Sequence, residues 1–335
     1  MRNRIRHIFS MEPDKNNGKA NSLKDGFISL LKDTWLTSWE LIRITVPVVI
    51  ITRILEQFGL ISYFSLALEP LMGLLGLPGS LGLVWATAML TNLYGGIAVL
   101  AALAPGLDIT DAQVTVLCSA MLIAHALPVE LSVSKRAGAN LLPIAAIRLV
   151  GAVTYAYILN KICLHFDVWQ DKAVLLFKGT TESSGLVQWG IGQIQNLGMI
   201  IIIIFCIVLF MRLFRAIGIL TLLERLLAPV LPVFGMGNHS APITVVGMVM
   251  GLGYGGALII RETARGKIGR KEVFNAMVLM GLCHGLVEDT LLMAAIGGKF
   301  GGILWGRILF SLLVTFSLVR LLGLLLDKKS QSKIT

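Results

Sequence analysis

Two short runs carry the residues of this sequence best suited to chemistry. His125-Ala126-Leu127-Pro128-Val129-Glu130 and His284-Gly285-Leu286-Val287-Glu288-Asp289 each set an imidazole close to carboxylates inside an otherwise apolar stretch. An ionisable side chain surrounded by hydrocarbon is costly, so it faces a bundle interior, pairs with another such group or serves transport. His284 and Glu288 are four apart and fall on one face of a helix, whereas His125 and Glu130, five apart, need the bend that Pro128 provides. Three uses fit these residues: a buried His–carboxylate hydrogen bond that only fixes the fold, a proton or ion site, or contacts to an organic substrate.

A second pair of runs is Asn92-Leu93-Tyr94-Gly95-Gly96 and Tyr254-Gly255-Gly256. Paired glycines lower helix propensity, so the backbone opens there and exposes donors and acceptors to a solute, or the same glycines let helices pack closely with no ligand at all. Asn92 tilts the first run toward the polar reading, because a side-chain amide in hydrocarbon needs partners. Arg148 and Arg307 stand early in later apolar stretches, where an arginine snorkels to the interface or pairs with Glu130 or Glu288. Asn238-His239 reads as a helix-start turn. The sequence has no phosphate loop, no nucleophile elbow and no His-Glu-x-x-His helix, so it carries no positive sign of an enzyme. Cys118, Cys163, Cys206 and Cys283 are scattered through apolar segments without metal-type spacing and read as small hydrophobes. No catalytic residue, cofactor or metal ligand is expected.

The elements that must position these residues are helices in a membrane. The chain is 56% hydrophobic and 14% charged, which would leave a water-soluble domain without a polar surface. Apolar runs long enough to cross a bilayer recur at about 41–58, 61–77, 81–104, 113–131 and 143–164, and again at about 196–213, 217–235, 241–260, 273–296 and 302–326. Those at 61–77 and 217–235, with Glu69 and Glu224, also suit re-entrant segments. Residues 1–26 read as a disordered basic N-terminus with no cleavable signal, 27–40 as an interfacial amphipathic helix with Trp35 and Trp39 at headgroup level, 165–195 as an extracytoplasmic connection and 327–335 as a cytoplasmic tail. Lys and Arg gather at the N-terminus, at Lys135-Arg136, at Arg212 and Arg215, between Arg261 and Lys271, and at Lys328-Lys329. Ten spans put all five clusters, and both termini, on the cytoplasmic side. The net charge of +10 is spread between apolar runs and not along one face, so nucleic acid is not a partner.

Self-similarity gives the internal organisation. Pro70 pairs with Pro229, Gly76 with Gly235, His125 with His284 and Arg148 with Arg307 at an offset of 159, and the Tyr-Gly-Gly runs pair one residue further on. Membrane repeats over 41–164 and 196–326, with an odd number of spans each, enter from opposite faces. The expected fold is therefore an all-α polytopic membrane protein of about ten transmembrane or re-entrant helices in two inverted-topology repeats.

The Asn-Leu-Tyr-Gly-Gly run and the His-to-acid elements, taken together over about residues 40–326, resemble the Gate, or nucleoside-recognition, family of membrane domains. That family is related to the membrane part of concentrative nucleoside transporters, of ferrous-iron transporter B and of spore maturation proteins A and B. The resemblance implies a transport or gating module in a bacterial inner membrane. It implies pathway roles for Asn92, Tyr94, Gly95, Gly96, His125, Glu130, Tyr254, Gly255, Gly256, His284, Glu288 and Asp289. It does not carry over iron, since the GTPase domain of the iron transporter has no counterpart here. The expected partners are the lipid bilayer, a small polar solute (a nucleoside first, a cation second) and a second copy of the chain. The alternative is a non-transporting scaffold like the spore maturation proteins.

Overall fold

The structure, a computed structural model, describes residues 23–104, 107–175 and 185–331. The N-terminal arginines, nearly all of the 1–26 segment, residues 176–184 of the connection and the last four residues of the tail lie outside the described residues. Among the described residues every regular element is a helix, with one isolated β-bridge between Thr110 and Lys172.

Helix α1 spans Leu23–Gln57 and joins into one rod the interfacial stretch 27–40 and the span 41–58, which the sequence reading had kept apart. It turns by 96° at Gly59 into α2, Leu60–Leu74. Helices α3 (Leu81–Leu90) and α4 (Leu93–Leu103) divide the apolar run 81–104, and α5 (Asp111–Ile123) and α6 (Leu127–Ala137) divide the next. Helix α7, Leu141–His165, is continuous. Then come α8 (Leu186–Ala216), α9 (Ile219–Leu227) and a 3-10 stretch, Ala228–Phe234, where Pro229 and Pro232 remove the donors an α-helix would need. Helices α10 (Ser240–Met250) and α11 (Leu252–Ala264) divide the run 241–260 at Gly251, and α12 (Arg270–Leu282) and α13 (Glu288–Ala295) divide the run 273–296. A π-turn, Gly301–Gly306, leads into α14, Arg307–Gln331.

Four of these apolar runs thus fold as pairs of half-length helices. A count by apolar windows and a count by helix length therefore differ: among the described residues, four helical segments are long and apolar enough to cross a membrane, one of them the α5–α6 pair taken together, or five if the bent pair α1–α2 is also one span. The outer surface is itself apolar. Ile50, Leu66, Leu142, Val150, Ile194 and Trp305 are all exposed, an arrangement that water would penalise and lipid does not. In the centre lie α5, buried without interruption from Val114 to Ile123, and α12, buried from Asn275 to Leu282. These two half-helices end at His125 and His284.

The half-helices are tied down by carboxylates and amides placed on backbone donors and acceptors. Glu69 accepts from Gly79 N–H at 2.8 Å, and Glu272 accepts from Gly237 N–H at 3.1 Å and the Ser240 hydroxyl at 2.5 Å. Gln113 Nε2 donates to Gly76 O at 2.8 Å and Asn275 Nδ2 to Phe234 O at 3.0 Å. Arg212 on α8 reaches α1, pairing with Asp33 and donating to Ser29 Oγ at 2.8 Å.

Candidate functional site

The site follows from how α5 ends. Pro128 has no N–H to offer the carbonyl of Ala124, so the helical ladder fails there and Ala126 turns into the left-handed region at φ 45°, ψ 33°. In lipid the orphaned carbonyls must find donors inside the protein. They do so with side chains: the Trp85 indole donates to Ala124 O at 3.2 Å, Arg148 Nε to Ile123 O at 2.9 Å, Arg148 Nη2 to His125 O at 3.1 Å, and His125 Nδ1 to Met121 O at 2.9 Å. The end of α12 is handled alike. Gly285 takes the left-handed turn at φ 58°, and His284 Nδ1 donates to Met280 O at 2.7 Å. Each break is also pinned to the first half-helix of the preceding pair, to α3 through Ala126 N–H to Ala88 O and to α10 through Leu286 N–H to Met248 O, both 2.9 Å.

A carbonyl oxygen only accepts, so both Nδ1 atoms must carry their protons and both Nε2 atoms point away from the backbone. They point at each other. The two Nε2 atoms are 3.2 Å apart, and Glu130 Oε1 lies 3.3 Å from His125 Nε2 and 3.1 Å from His284 Nε2. Asp289 adds a carboxylate: its ligand atom and those of the two histidines all lie within 4.8 Å of one another. The other oxygen of Glu130 pairs with Arg148 Nη1. Both histidines and Arg148 are buried, and the Glu130 side chain is 12% exposed. Arg148 reaches the cluster past Gly281 of α12, where a Cβ would come within 3.3 Å of its stem.

The sequence-predicted residues divide into three groups. His125, Glu130, His284 and Asp289 converge on one point. Glu288 does not join them; it is exposed on the first turn of α13, because the break at 283–287 removes the helical register that would have placed it one turn below His284. Asn92, Tyr94, Gly95, Gly96, Tyr254, Gly255 and Gly256 open the half-helices α4 and α11. The Asn92 amide finds its partner as an N-cap, accepting from Gly95 N–H at 2.9 Å. The four glycines are buried at close helix contacts, Gly96 against Met121 and Ala88, Gly256 against Val133 of α6. Tyr94 is half-buried and within electrostatic range of Glu288 and Asp289. Sequence reasoning offered Arg148 as a partner of Glu130 without placing it among the pathway residues, and missed Trp85. The first shared the repeat offset with Arg307 and so carried a signal, and the second carried none beyond an indole N–H in an apolar run.

The Gate family, described as nucleoside recognition, matches residues 38–139. A relative from Bacillus subtilis (strain 168), the uncharacterized membrane protein YvoD, is 25% identical over 303 residues, covering 88% of this chain and 95% of its own length. No solved structure matches. The stretch similar to the Gate family contains Trp85, His125 and Glu130, while Arg148, His284 and Asp289 lie beyond it, so the cluster is completed only by the rest of the chain.

Two substitutions at the breaks are expected to act in opposite senses. A Cβ at Gly285 would strike the Asp289 carboxylate in a backbone region that disfavours it, so Gly285→Ala should destabilise the fold by about 2 kcal/mol. Ala126→Gly relieves the same kind of strain and should be neutral or stabilising by up to about 1 kcal/mol. Thermal unfolding in detergent micelles measures both; equal losses would contradict the geometry given to the two breaks.

Proposed function

We propose that this protein is a membrane transporter or gate that passes a small polar solute through the site where His125, Glu130, His284 and Asp289 meet. The observation that carries the reading is that ionisable groups from two separated stretches of an apolar chain, two buried histidines and two partly buried carboxylates, converge at two helix breaks. On this reading about ten helical segments form two inverted repeats in a bacterial inner membrane, with both termini cytoplasmic. The matching order of half-helices around His125 and His284 supports the duplication. Nucleosides are the first solutes to test, since the matched family is described as nucleoside recognition, and cations the second. The close packing of Gly95, Gly96, Gly255 and Gly256 favours the rival reading, a scaffold whose polar residues only knit helices together.

Uptake into proteoliposomes separates the two. A panel of nucleosides, amino acids and divalent cations should contain a solute that accumulates above empty liposomes and ceases to do so in His125→Gln and His284→Gln; accumulation of none, in any imposed gradient, would remove the transport reading. Orientation has its own check. In a cysteine-free variant of intact cells, a membrane-impermeant thiol reagent should label a cysteine placed at Lys172 and not one placed at Gly266, and the reverse pattern would invert the topology.

A further inference from the structure

The central cluster presents three electron-pair donors to one point. Both imidazoles have spent their Nδ1 protons on backbone carbonyls, so in the neutral rings both Nε2 atoms are bare lone pairs, held 3.2 Å apart and 3.3 and 3.1 Å from a carboxylate oxygen. Three such groups repel unless an electrophile lies among them. A proton joins two of the three and leaves the third unsatisfied. A metal ion joins all of them.

The spacing fits one. A tetrahedron with edges of about 3.2 Å has its centre about 2.0 Å from each vertex, which is the bond length of Zn²⁺ to imidazole nitrogen and carboxylate oxygen. We infer that His125 Nε2, His284 Nε2 and Glu130 Oε1 form one face of a tetrahedral site for a single divalent transition-metal ion, and that the Asp289 carboxylate, within 4.8 Å of both imidazoles, moves in as the fourth donor when the ion binds. The surroundings are those such a site needs. Each ligating ring is oriented by an Nδ1–H bond to a carbonyl, and the ligating carboxylate is held through its second oxygen by Arg148. Gly285 leaves the space that the Asp289 carboxylate occupies. Two imidazoles with two carboxylates suit Zn²⁺ and its first-row neighbours, and not Mg²⁺ or Ca²⁺, which take oxygen ligands alone. The bound ion would tie the α5–α6 break to the α12–α13 break, so that its arrival or loss couples the two parts of the chain.

This inference deepens the transport reading by naming what the working site takes, and it rests on that reading only for the ion being cargo; binding is tested apart from transport. Full-length protein in detergent, stripped with EDTA, is titrated with Zn²⁺ and separately with Mg²⁺ by calorimetry, and bound zinc is counted by mass spectrometry. The expected result is one zinc per chain, no competing magnesium, and affinity lower by roughly 10- to 100-fold or more in His125→Gln and His284→Gln. Zinc binding that is absent, or that survives both substitutions and is lost in His165→Gln or His239→Gln instead, overturns the site. Should the central variants fail to fold, X-ray absorption of zinc in the wild-type protein decides: imidazole scattering with short nitrogen and oxygen bonds supports the site, and a zinc shell without imidazole refutes it. Stoichiometric zinc with no solute uptake would keep the site and remove the transport reading; uptake without zinc binding would do the reverse.

Discussion

Everything central to this structure depends on one constraint, the need to satisfy backbone carbonyls where a helix stops in the middle of an apolar body. Water is not there to accept the loss of a helical ladder, so each interruption must bring its own donors. At the end of α5 those donors are His125, Arg148 and Trp85, and at the end of α12 one of them is His284. The polar residues that look like candidates for chemistry are therefore also what makes the breaks tolerable. Fold and site are the same set of hydrogen bonds.

The capping role has an electrostatic consequence. Committing Nδ1 to a carbonyl fixes the tautomer and sends Nε2 into the space between the breaks, and the guanidinium committed to Ile123 O and His125 O is thereby placed against Glu130. A buried arginine and carboxylate that pair offset part of each other's desolvation, whereas either one alone would not. Gly281 admits the Arg148 stem beside α12, so the pair sits where two distant stretches of sequence touch. Losing any one of these residues would disturb a carbonyl, a charge and a ring together, which is the reason structural and functional readings of the cluster overlap.

Much of this was legible in the sequence, and the rest was hidden for definable reasons. The helical class followed from apolar runs, and the importance of His125, Glu130 and His284 from ionisable groups within them. The half-helices were not visible to a window that averages hydropathy, because a break costs only a residue or two: Asn92, Ala126, Gly251 and Gly285 change the path of the chain without changing its polarity. Continuous helical spacing favoured Glu288 as the partner of His284, and it is the break that makes Asp289 the inward carboxylate. Glu130 and Asp289 stand 159 apart just as the two histidines do, so the offset, unlike helical spacing, points to Asp289. Helical periodicity reads only local geometry, and a break in the helix voids it.

The most direct test of the account is the protonation state of the two central rings. Nitrogen-15 NMR of histidine-labelled protein in micelles, assigned with His→Gln variants, distinguishes a proton on Nδ1 from one on Nε2. The account predicts that in metal-free protein at neutral to alkaline pH His125 and His284 both carry Nδ1–H, donated to Met121 and Met280, and that their Nε2 resonances respond together when one is perturbed. Neutral rings protonated on Nε2 and titrating independently would mean that the lone pairs do not converge, and the description of the site would be wrong.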